Sequence, residues 1–257
     1  MNGFLLRSLS FTPYAVGSGF AAANPVGNCV NDFMGMVTRA DVADTTIQIG
    51  ADFGAPVLLD SFAALNVVGL SVTLFASTAS DFATTPFSAD LTAANTDTPT
   101  AQGRRHALWA VDSLVGPYRY WMFRLQGSPG VKAEVARLLF GQKLQPGRNF
   151  SFGAARGVND LGSTDFAPRG AFLRRKAAKR RHLGLSWGYL TEIEAEQAAL
   201  PLLEAVGNTE PLLAVLDPAA DAERSRRLYY GPLQGNLALN WRGRDRWEKR
   251  IQMVSLV

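Results

Sequence analysis

Cysteine and histidine are scarce in this sequence, which holds one cysteine, Cys29, and two histidines, His106 and His182. A single cysteine excludes any disulfide within the chain, and with it the small folds that disulfides hold together. So few residues of these two types also leave little from which to build a zinc or iron site. We therefore expect no metal and no cofactor.

Long hydrophobic runs are also missing. No stretch of about 18 uninterrupted apolar residues occurs, so the sequence predicts no transmembrane helix. The first residues are apolar in the manner of a signal peptide, but Arg7 and Ser8 interrupt the run and no basic segment precedes it. We expect neither a membrane span nor a cleaved leader.

Signatures of catalysis and of phosphate binding are absent too. A glycosidase needs two carboxylates across a cleft, but the spacing of the acidic residues selects no pair. Those considered are Asp52, Asp60, Asp112 and Glu134. Neither histidine lies in a motif that would make it a base for Cys29 or for a serine, and no glycine-rich phosphate loop follows a strand. We expect that the protein is not an enzyme. A hydrolase is the least favoured of the functions that the sequence suggests.

The remaining composition is that of a globular protein. Of 257 residues, 47% are hydrophobic and 19% are charged, which suffices for one large or two modest domains. The net charge of +4 is mildly basic, unlike that of a dedicated nucleic-acid-binding protein.

Residues 1–143 show short strand patterns separated by turn residues, with almost no helical periodicity. Residues 1–40 are predicted to be a turn-rich arm followed by a loop, and we expect the arm, residues 1–30, to order against a neighbouring subunit. Residues 78–104 are predicted to be a long surface loop. The predicted strands are Thr45–Ile49, Val57–Val68, Ser71–Ser77, Leu108–Val111, Tyr118–Gln126 and Ala133–Phe140. The last two flank the turn Ser128–Gly130 and are expected to form a closing hairpin. This pattern predicts an antiparallel β-sandwich over residues 41–143.

Four motifs in this region occur in the order found in the galactose-binding-like, or discoidin-like, jelly roll, which the sequence resembles. They are Ile47–Gly54 (IQIGADFG), Val72–Ser77 (VTLFAS), Tyr118–Phe123 (YRYWMF) and Glu134–Gly141 (EVARLLFG). The resemblance implies a jelly-roll sandwich. A jelly-roll shape alone does not imply that the protein binds sugar.

A cluster of aromatic residues in this region has two interpretations. Its members are Trp109, Tyr118, Tyr120 and Trp121. Aromatic rings offer an apolar platform with polar edges, so the cluster could stack on the face of a sugar. The more usual role of such residues is to fill the core of a sandwich and cover its edge.

Residues 144–257 differ in composition and predict a smaller α+β domain, in which one helix packs on an antiparallel sheet. The predicted strands are Asn149–Arg156, Leu183–Leu190, Pro211–Asp217, Arg227–Tyr230, Leu237–Trp241 and Trp247–Val257, and 157–170 is predicted to be a loop. The helix is expected between Thr191, which forms a capping box with Glu194, and Gly207. Pro201 should kink or split it.

The side of this helix that we expect to be buried is defined by the spacing of its apolar residues. It comprises Ile193, Leu200 and Leu203, and Val206 joins it beyond Pro201.

An ordered set of motifs in this second part resembles the tube- and ring-forming tail proteins of long-tailed bacteriophages. They are Phe140–Gly141, Pro146–Asn149, Phe152–Gly157, Arg181–Trp187, Leu190–Ala195, Val215–Pro218, Leu228–Gly231 and Trp247–Val257. In distal tail proteins the carbohydrate-binding-like sandwich more often comes second. Because the sandwich comes first in this chain, the resemblance does not predict where in the tail the protein would lie.

The resemblance implies a structural virion protein of a tail tip or baseplate, made in the cytoplasm of a bacterial host. It would assemble as a ring with copies of itself and connect the tail tube to tail-tip or host-contact proteins. Further partners would be the hub, tape-measure and fibre proteins of the phage. The alternative is a carbohydrate-binding module that recognises glycans of the host cell surface.

One segment of the sequence is unusually rich in basic residues, and we call it the basic run. It comprises Arg174, Arg175, Lys176, Lys179, Arg180 and Arg181. The run could face DNA that passes through a ring, contact an acidic neighbouring subunit, or be a solvated loop. A contact with the glutamates at 192–196, within or between subunits, explains it equally well. No interleaved aromatic residues or recognition helix accompany it, so we expect no sequence-specific nucleic-acid binding.

Overall fold

Strands account for most of the regular structure in the computed structural model, which describes residues 2–17, 19–43, 45–91, 105–151 and 153–257. The strands are β1 (Phe4–Leu6), β2 (Thr12–Ala15), β3 (Thr38–Arg39), β4 (Ile47–Leu65), β5 (Ser71–Ser77), β6 (Phe87–Asp90), β7 (His106–Gln126), β8 (Glu134–Val135), β9 (Arg137–Gly141), β10 (Lys143–Leu144), β11 (Ala155–Asp160), β12 (Ser163–Phe166), β13 (Phe172–Arg175), β14 (Lys179–Leu190), β15 (Pro211–Val215), β16 (Leu228–Pro232), β17 (Asn240–Gly243) and β18 (Arg246–Val254). The helical segments are 3₁₀ turns at Val26–Val30 and Arg224–Arg227, a π-helical stretch at Glu194–Ala199, and α1 (Leu200–Val206). The fold is mainly β with antiparallel sheets, as the sequence predicts.

The chain divides into two units. The first comprises Met1–Gln145 and Leu213–Leu228, and the second comprises Pro146–Leu212 and Tyr229–Val257. From the sequence, 213–228 are expected to belong to the second domain. The structure places this segment in the first unit, because β15 pairs with the N-terminal strand β1 (Phe4↔Val215, Leu6↔Leu213).

The two longest strands, β4 and β7, organise the first unit. They pair antiparallel from Ile47↔Leu125 to Leu65↔His106, with three register shifts between Asp52 and Ser61. The first half of β4 lies between β2 and β7, and its second half lies between β7 and β9. Strands β5 and β6 extend the sheet beyond β7. Because the register shifts bend both strands, the two halves of the ribbon can face each other.

Aromatic side chains fill the space between these two halves and close the sandwich. The ring of Phe62, on the second half of β4, lies 5.9 Å from that of Phe123. Phe140, on β9, lies 4.6 Å from Phe62 and 6.5 Å from Trp121. Alternate residues of β5 (Val72, Leu74 and Ala76) are fully buried in the same core. The antiparallel β-sandwich is therefore defined by strand pairing and by one continuous core.

The closing hairpin expected around Ser128–Gly130 does not form, and that prediction was wrong. The last residues of β7 already have β4 on one edge and β5 on the other (Ile47↔Leu125, Ser71↔Gln126). Since both edges are occupied, β9 pairs instead with the second half of β4. The segments Leu108–Val111 and Tyr118–Gln126 are two parts of the single strand β7.

The predicted loop at 78–104 was wrong in part, because Phe87–Asp90 form β6 and pair with β5. Its residues 92–104 lie outside the described residues. Phe152, the first residue of the Phe152–Gly157 motif, lies outside them too.

The N-terminal arm is part of the first unit and not a separate segment. β1 lies between β10 and β15, and β2 pairs with the first half of β4. The two strands of the arm thus pair with strands of their own chain, whereas we expected the arm to order against a neighbour. One consequence is that the sandwich is inserted between β1 and β10, two strands that lie side by side.

The second unit contains a four-stranded antiparallel sheet in the order β11-β14-β18-β17. In β14 the residues Leu183, Leu185 and Trp187 are buried and alternate with more exposed ones, as the sequence pattern predicts. The predicted loop at 157–170 was wrong. It contains the end of β11 and all of β12, which pairs with β13 to form a two-stranded ribbon (Ser163↔Arg175 to Phe166↔Phe172).

The capping box at the start of the helix is confirmed. The backbone N–H of Thr191 donates to the Glu194 carboxylate at 2.8 Å, and the N–H of Glu194 donates to the Thr191 hydroxyl at 3.2 Å. Gly207, with φ of 57°, ends the helix. The π-helical stretch gives way to α1 immediately before Pro201, so Pro201 stands in the first turn of α1, where its missing N–H costs least.

The buried side of the helix differs from the predicted one. Leu203 and Val206 are buried as expected, but Ile193 is 67% and Leu200 is 40% exposed. The buried side is completed by Ala195 and Ala199. Small side chains let a helix approach its neighbours closely, but they do not stand out in a pattern of large apolar residues.

Candidate functional site

The two tryptophans of the predicted glycan contact are core residues. Trp121 is 0% exposed, and its ring contacts Phe87, Trp109 and Tyr118 with centroids 5.5, 6.0 and 6.1 Å away. Trp109 is 8% exposed. A fully buried ring cannot stack on a sugar, so the prediction of a glycan contact at Trp121 was wrong. The alternative interpretation, that these rings fill the core, is correct for both.

Tyr118 and Tyr120 are half-buried, and Tyr120 belongs to a cluster that the sequence analysis did not assemble. The cluster comprises Tyr14 on β2, Asp52 on β4, and Arg119 and Tyr120 on β7; we call it the tyrosine–arginine face. Strand register brings it together, because Thr12 pairs with Asp52 and Asp52 pairs with Tyr120. Alternation places Tyr14, Asp52 and Tyr120 on the side of the sheet away from the core.

Gly50 makes room for one of the two tyrosines. Gly50 pairs with Tyr14, and a Cβ at this position would lie 2.3 Å from Cζ of the Tyr14 ring. The ring therefore lies directly on the backbone of β4. The Tyr14 hydroxyl donates to the carbonyl of Ser80 at 3.2 Å. Burial, and then the charge of Asp52, raises the pKa of the Tyr14 hydroxyl to about 12, so the phenol stays neutral.

Asp52 and Arg119 form a two-point ion pair at the centre of this face. Nε and a terminal nitrogen of Arg119 donate to the two carboxylate oxygens of Asp52 at 2.7 and 2.9 Å. The backbone N–H of Gly54 donates to the same carboxylate at 2.8 Å. The hydrogen bond from Arg119, followed by that from Gly54, lowers the pKa of the Asp52 carboxyl, and the same bond raises the pKa of Arg119. Both groups are charged at neutral pH.

The guanidinium of Arg119 also lies over the ring of Tyr120, with 4.9 Å between Cζ and the ring centroid. The arrangement fixes the planar guanidinium between a carboxylate and an aromatic ring. It thereby presents N–H donors, carboxylate acceptors and aromatic surface within one small area. These are the groups that bind a ring bearing several hydroxyls.

Trp109 also borders a cleft of about 350 Å³ in the first unit. Its other walls include Ala110, Asp217, Pro218 and Arg224. Asp217 is held by a 2.9 Å ion pair with Arg227. Sequence reasoning did not find this cleft, because it placed 217–224 in another domain.

The basic run is not one surface patch. Arg174, Arg175 and Lys176 are exposed at the end of the β12–β13 ribbon, and Lys179 and Arg180 are exposed at the start of β14. Arg181 is buried, with its guanidinium 4.1 Å from the ring centroid of Tyr229. The prediction of a surface contact at Arg181 was therefore wrong, because alternation along β14 turns this side chain inward.

Two kinds of feature are absent from the described residues. Among residues 2–17, 19–43, 45–91, 105–151 and 153–257, no group of three or more His, Cys, Asp and Glu side chains could hold a metal ion. In the same part of the chain, no helix is long and apolar enough to cross a membrane.

No protein-family model and no curated protein matches this chain. Among solved structures, it is similar to a family 32 carbohydrate-binding module from C. perfringens NanJ in complex with galactose, at 11% identity and a TM-score of 0.39, over 51% of this chain and 92% of that one. Reduced XRCC1 bound to the DNA polymerase β catalytic domain matches at 12% identity and a TM-score of 0.39, over 54% of this chain and 98% of that one. A crystal structure of SpGH29 matches at 11% identity and a TM-score of 0.38, over 52% of this chain and 27% of that one. Similarities at this level carry no argument about function. The β-sandwich is established by its own strand pairing and its own core.

Proposed function

We propose that the protein is a non-enzymatic binding protein whose sandwich recognises a glycan through the tyrosine–arginine face. The observation that carries the proposal is the Asp52–Arg119 ion pair, whose guanidinium lies over the ring of Tyr120. The ligand class is a hexose with adjacent hydroxyls, because one hydroxyl can donate to the carboxylate while its neighbour accepts from the guanidinium. The tyrosine rings supply the apolar platform for the sugar face.

Substitution of Tyr120 tests this proposal. We expect the wild-type chain to bind hexose-containing glycans on an array, and Tyr120→Ala to weaken the binding by about tenfold in calorimetry, because one stacking and cation–π platform is lost. Arg119→Ala should have at least the same effect. Melting curves should show that both variants remain folded.

Tyr189→Ala is the matched control. Tyr189 is half-exposed in the second unit and also has an arginine over its ring, with Cζ of Arg246 at 4.2 Å. We expect its glycan affinity to equal that of the wild type. A wild-type chain that binds no glycan, or a Tyr120→Ala variant that binds as well as wild type, would contradict the proposal.

The second candidate function is a structural role in the tail tip of a long-tailed phage. The observation that favours it is the insertion of the sandwich between the paired strands β1 and β10. The two ends of the sandwich segment therefore lie side by side, which suits an inserted domain. The motifs that resemble tail proteins support the same role.

Antibodies against the purified chain test the second candidate. They are expected to label one end of long-tailed particles released from the source bacterium, and mass spectrometry of those particles should detect the chain. Particles that lack the chain would contradict this candidate, while leaving glycan binding to be decided by the Tyr120 experiment.

A further inference from the structure

The β12–β13 ribbon exposes an aromatic surface. All eight residues of its two strands are exposed, and register places Thr164, Phe166, Phe172 and Arg174 on one side, which we call the ribbon face. The rings of Phe166 and Phe172 contact each other with centroids 5.4 Å apart, yet the residues are 67% and 56% exposed. Adjacent exposed aromatics beside an arginine are typical of an interface, because such residues contribute most to binding energy.

The helix of the same unit exposes a second surface with apolar residues. Ile193, Glu196, Leu200 and Glu204 are all exposed, so they lie on the solvent side of the helical segment. We call this side the acidic helix face. It lies away from the side that Ala199 and Leu203 bury, and its apolar residues are separated by carboxylates.

The two surfaces are complementary in charge. Residues 163–176 contain Arg169, Arg174, Arg175 and Lys176 and a single acid, Asp165. Residues 191–210 contain five glutamates and neither lysine nor arginine. Among the described residues, no ion pair joins Arg174 or Arg175 to a carboxylate. None joins Glu196 or Glu204 to a basic side chain. The ribbon face therefore combines apolar groups with positive charge, and the acidic helix face combines apolar groups with negative charge.

We propose that the ribbon face of one copy docks on the acidic helix face of a second copy. Phe166 and Phe172 would pack against Ile193 and Leu200, while Arg174 pairs with Glu196 or Glu204. The contact joins two different surfaces, so each copy that uses its ribbon still offers its helix to a third. Such a heterologous contact builds rings where the rotation closes, and filaments where it does not. The proposal is independent of glycan binding, and it would supply the lateral contact that a tail-tip ring needs.

Charge reversal on each surface tests the contact. The mass of the full-length wild-type chain, measured by light scattering, is expected to rise with protein concentration and to fall at high salt. Arg174→Glu and Glu196→Arg should each weaken this self-association by about tenfold or more, because a like-charge pair replaces an attractive one. Phe172→Ala should have a similar effect through lost apolar contact. Glycan affinity should not change in any of these variants.

A mixture of the two charge variants distinguishes this contact from a general loss of charge. The intact helix of Arg174→Glu can bind the intact ribbon of Glu196→Arg, and the two reversed surfaces also attract each other. We expect the mixture to recover the assembly that each variant alone has lost. Arg180→Glu and Glu210→Arg, which alter exposed charges outside the two faces, should assemble like wild type.

Two results would overturn the proposal. One is a wild-type chain that stays monomeric at all concentrations, or an assembly that neither Arg174→Glu nor Glu196→Arg weakens. The other is a monomer that instead binds DNA in a manner dependent on Arg174, which would make the ribbon a nucleic-acid contact.

Discussion

Replacing Trp121 with alanine is expected to lower the free energy of unfolding of the first unit by about 3–5 kcal/mol. The side chain is fully buried, and its ring packs against Phe87, Trp109 and Phe140. These rings come from both halves of the sandwich, so the cavity left by alanine would open at the place where the two halves meet. Denaturant unfolding followed by circular dichroism measures the change.

Two control variants separate a core role from a ligand role for tryptophan. Trp121→Phe keeps most of the apolar volume and should cost clearly less than alanine. Trp241→Ala, at a residue 67% exposed in the second unit, should change stability by no more than about 0.5 kcal/mol. If Trp121→Ala unfolded at the same denaturant concentration as wild type, the ring would not hold the two halves together.

Replacing Lys249 with methionine is expected to raise the free energy of unfolding of the second unit by about 1–3 kcal/mol at pH 7. Lys249 lies on β18 opposite Trp187 and is only 1% exposed. Its neighbours on the same side of the strand, Ile251 and Met253, are also buried. The ammonium makes one long hydrogen bond, donating to the carbonyl of Ala238 at 3.4 Å. Methionine removes the cost of burying this charge and keeps most of the side-chain volume.

The pH dependence gives this prediction an independent check. Burial lowers the pKa of Lys249 from 10.5 to about 8. Between these values Lys249 binds more protons in the unfolded chain than in the folded one, so the stability of the second unit, which contains it, should rise with pH from about 8 to 10. This rise should disappear in Lys249→Met and persist in Lys179→Met, which replaces an exposed lysine. A stability of the second unit that falls across this pH range would contradict the prediction.

Local patterns in the sequence predicted the features that depend on neighbouring residues. Alternation along β5 and β14 correctly predicted strands there, and the structure buries alternate residues such as Val72, Leu74, Leu183 and Leu185, because side chains in a strand alternate between its two faces. The capping box at Thr191 was also predictable, because all its atoms lie within four consecutive residues.

Features that depend on distant residues could not be predicted in this way. The turn at Ser128–Gly130 suggested a hairpin, but the partner of β9 was decided by which edges were still open after β4, β5 and β7 had paired. The tyrosine–arginine face has the same origin. Its residues come from positions 14, 52, 119 and 120, and only the register of three strands places them together.

The sequence by itself determined a mainly β chain, a sandwich in its first part and one capped helix in its second, because period, turn residues and caps act over a few residues. Only the tertiary structure decided that β1 lies between β10 and β15, that 213–228 belongs to the first unit, and that Trp121 is covered while Tyr120 is partly exposed. The physical reason is that burial and pairing depend on which distant segments meet, and many pairings satisfy the same local pattern.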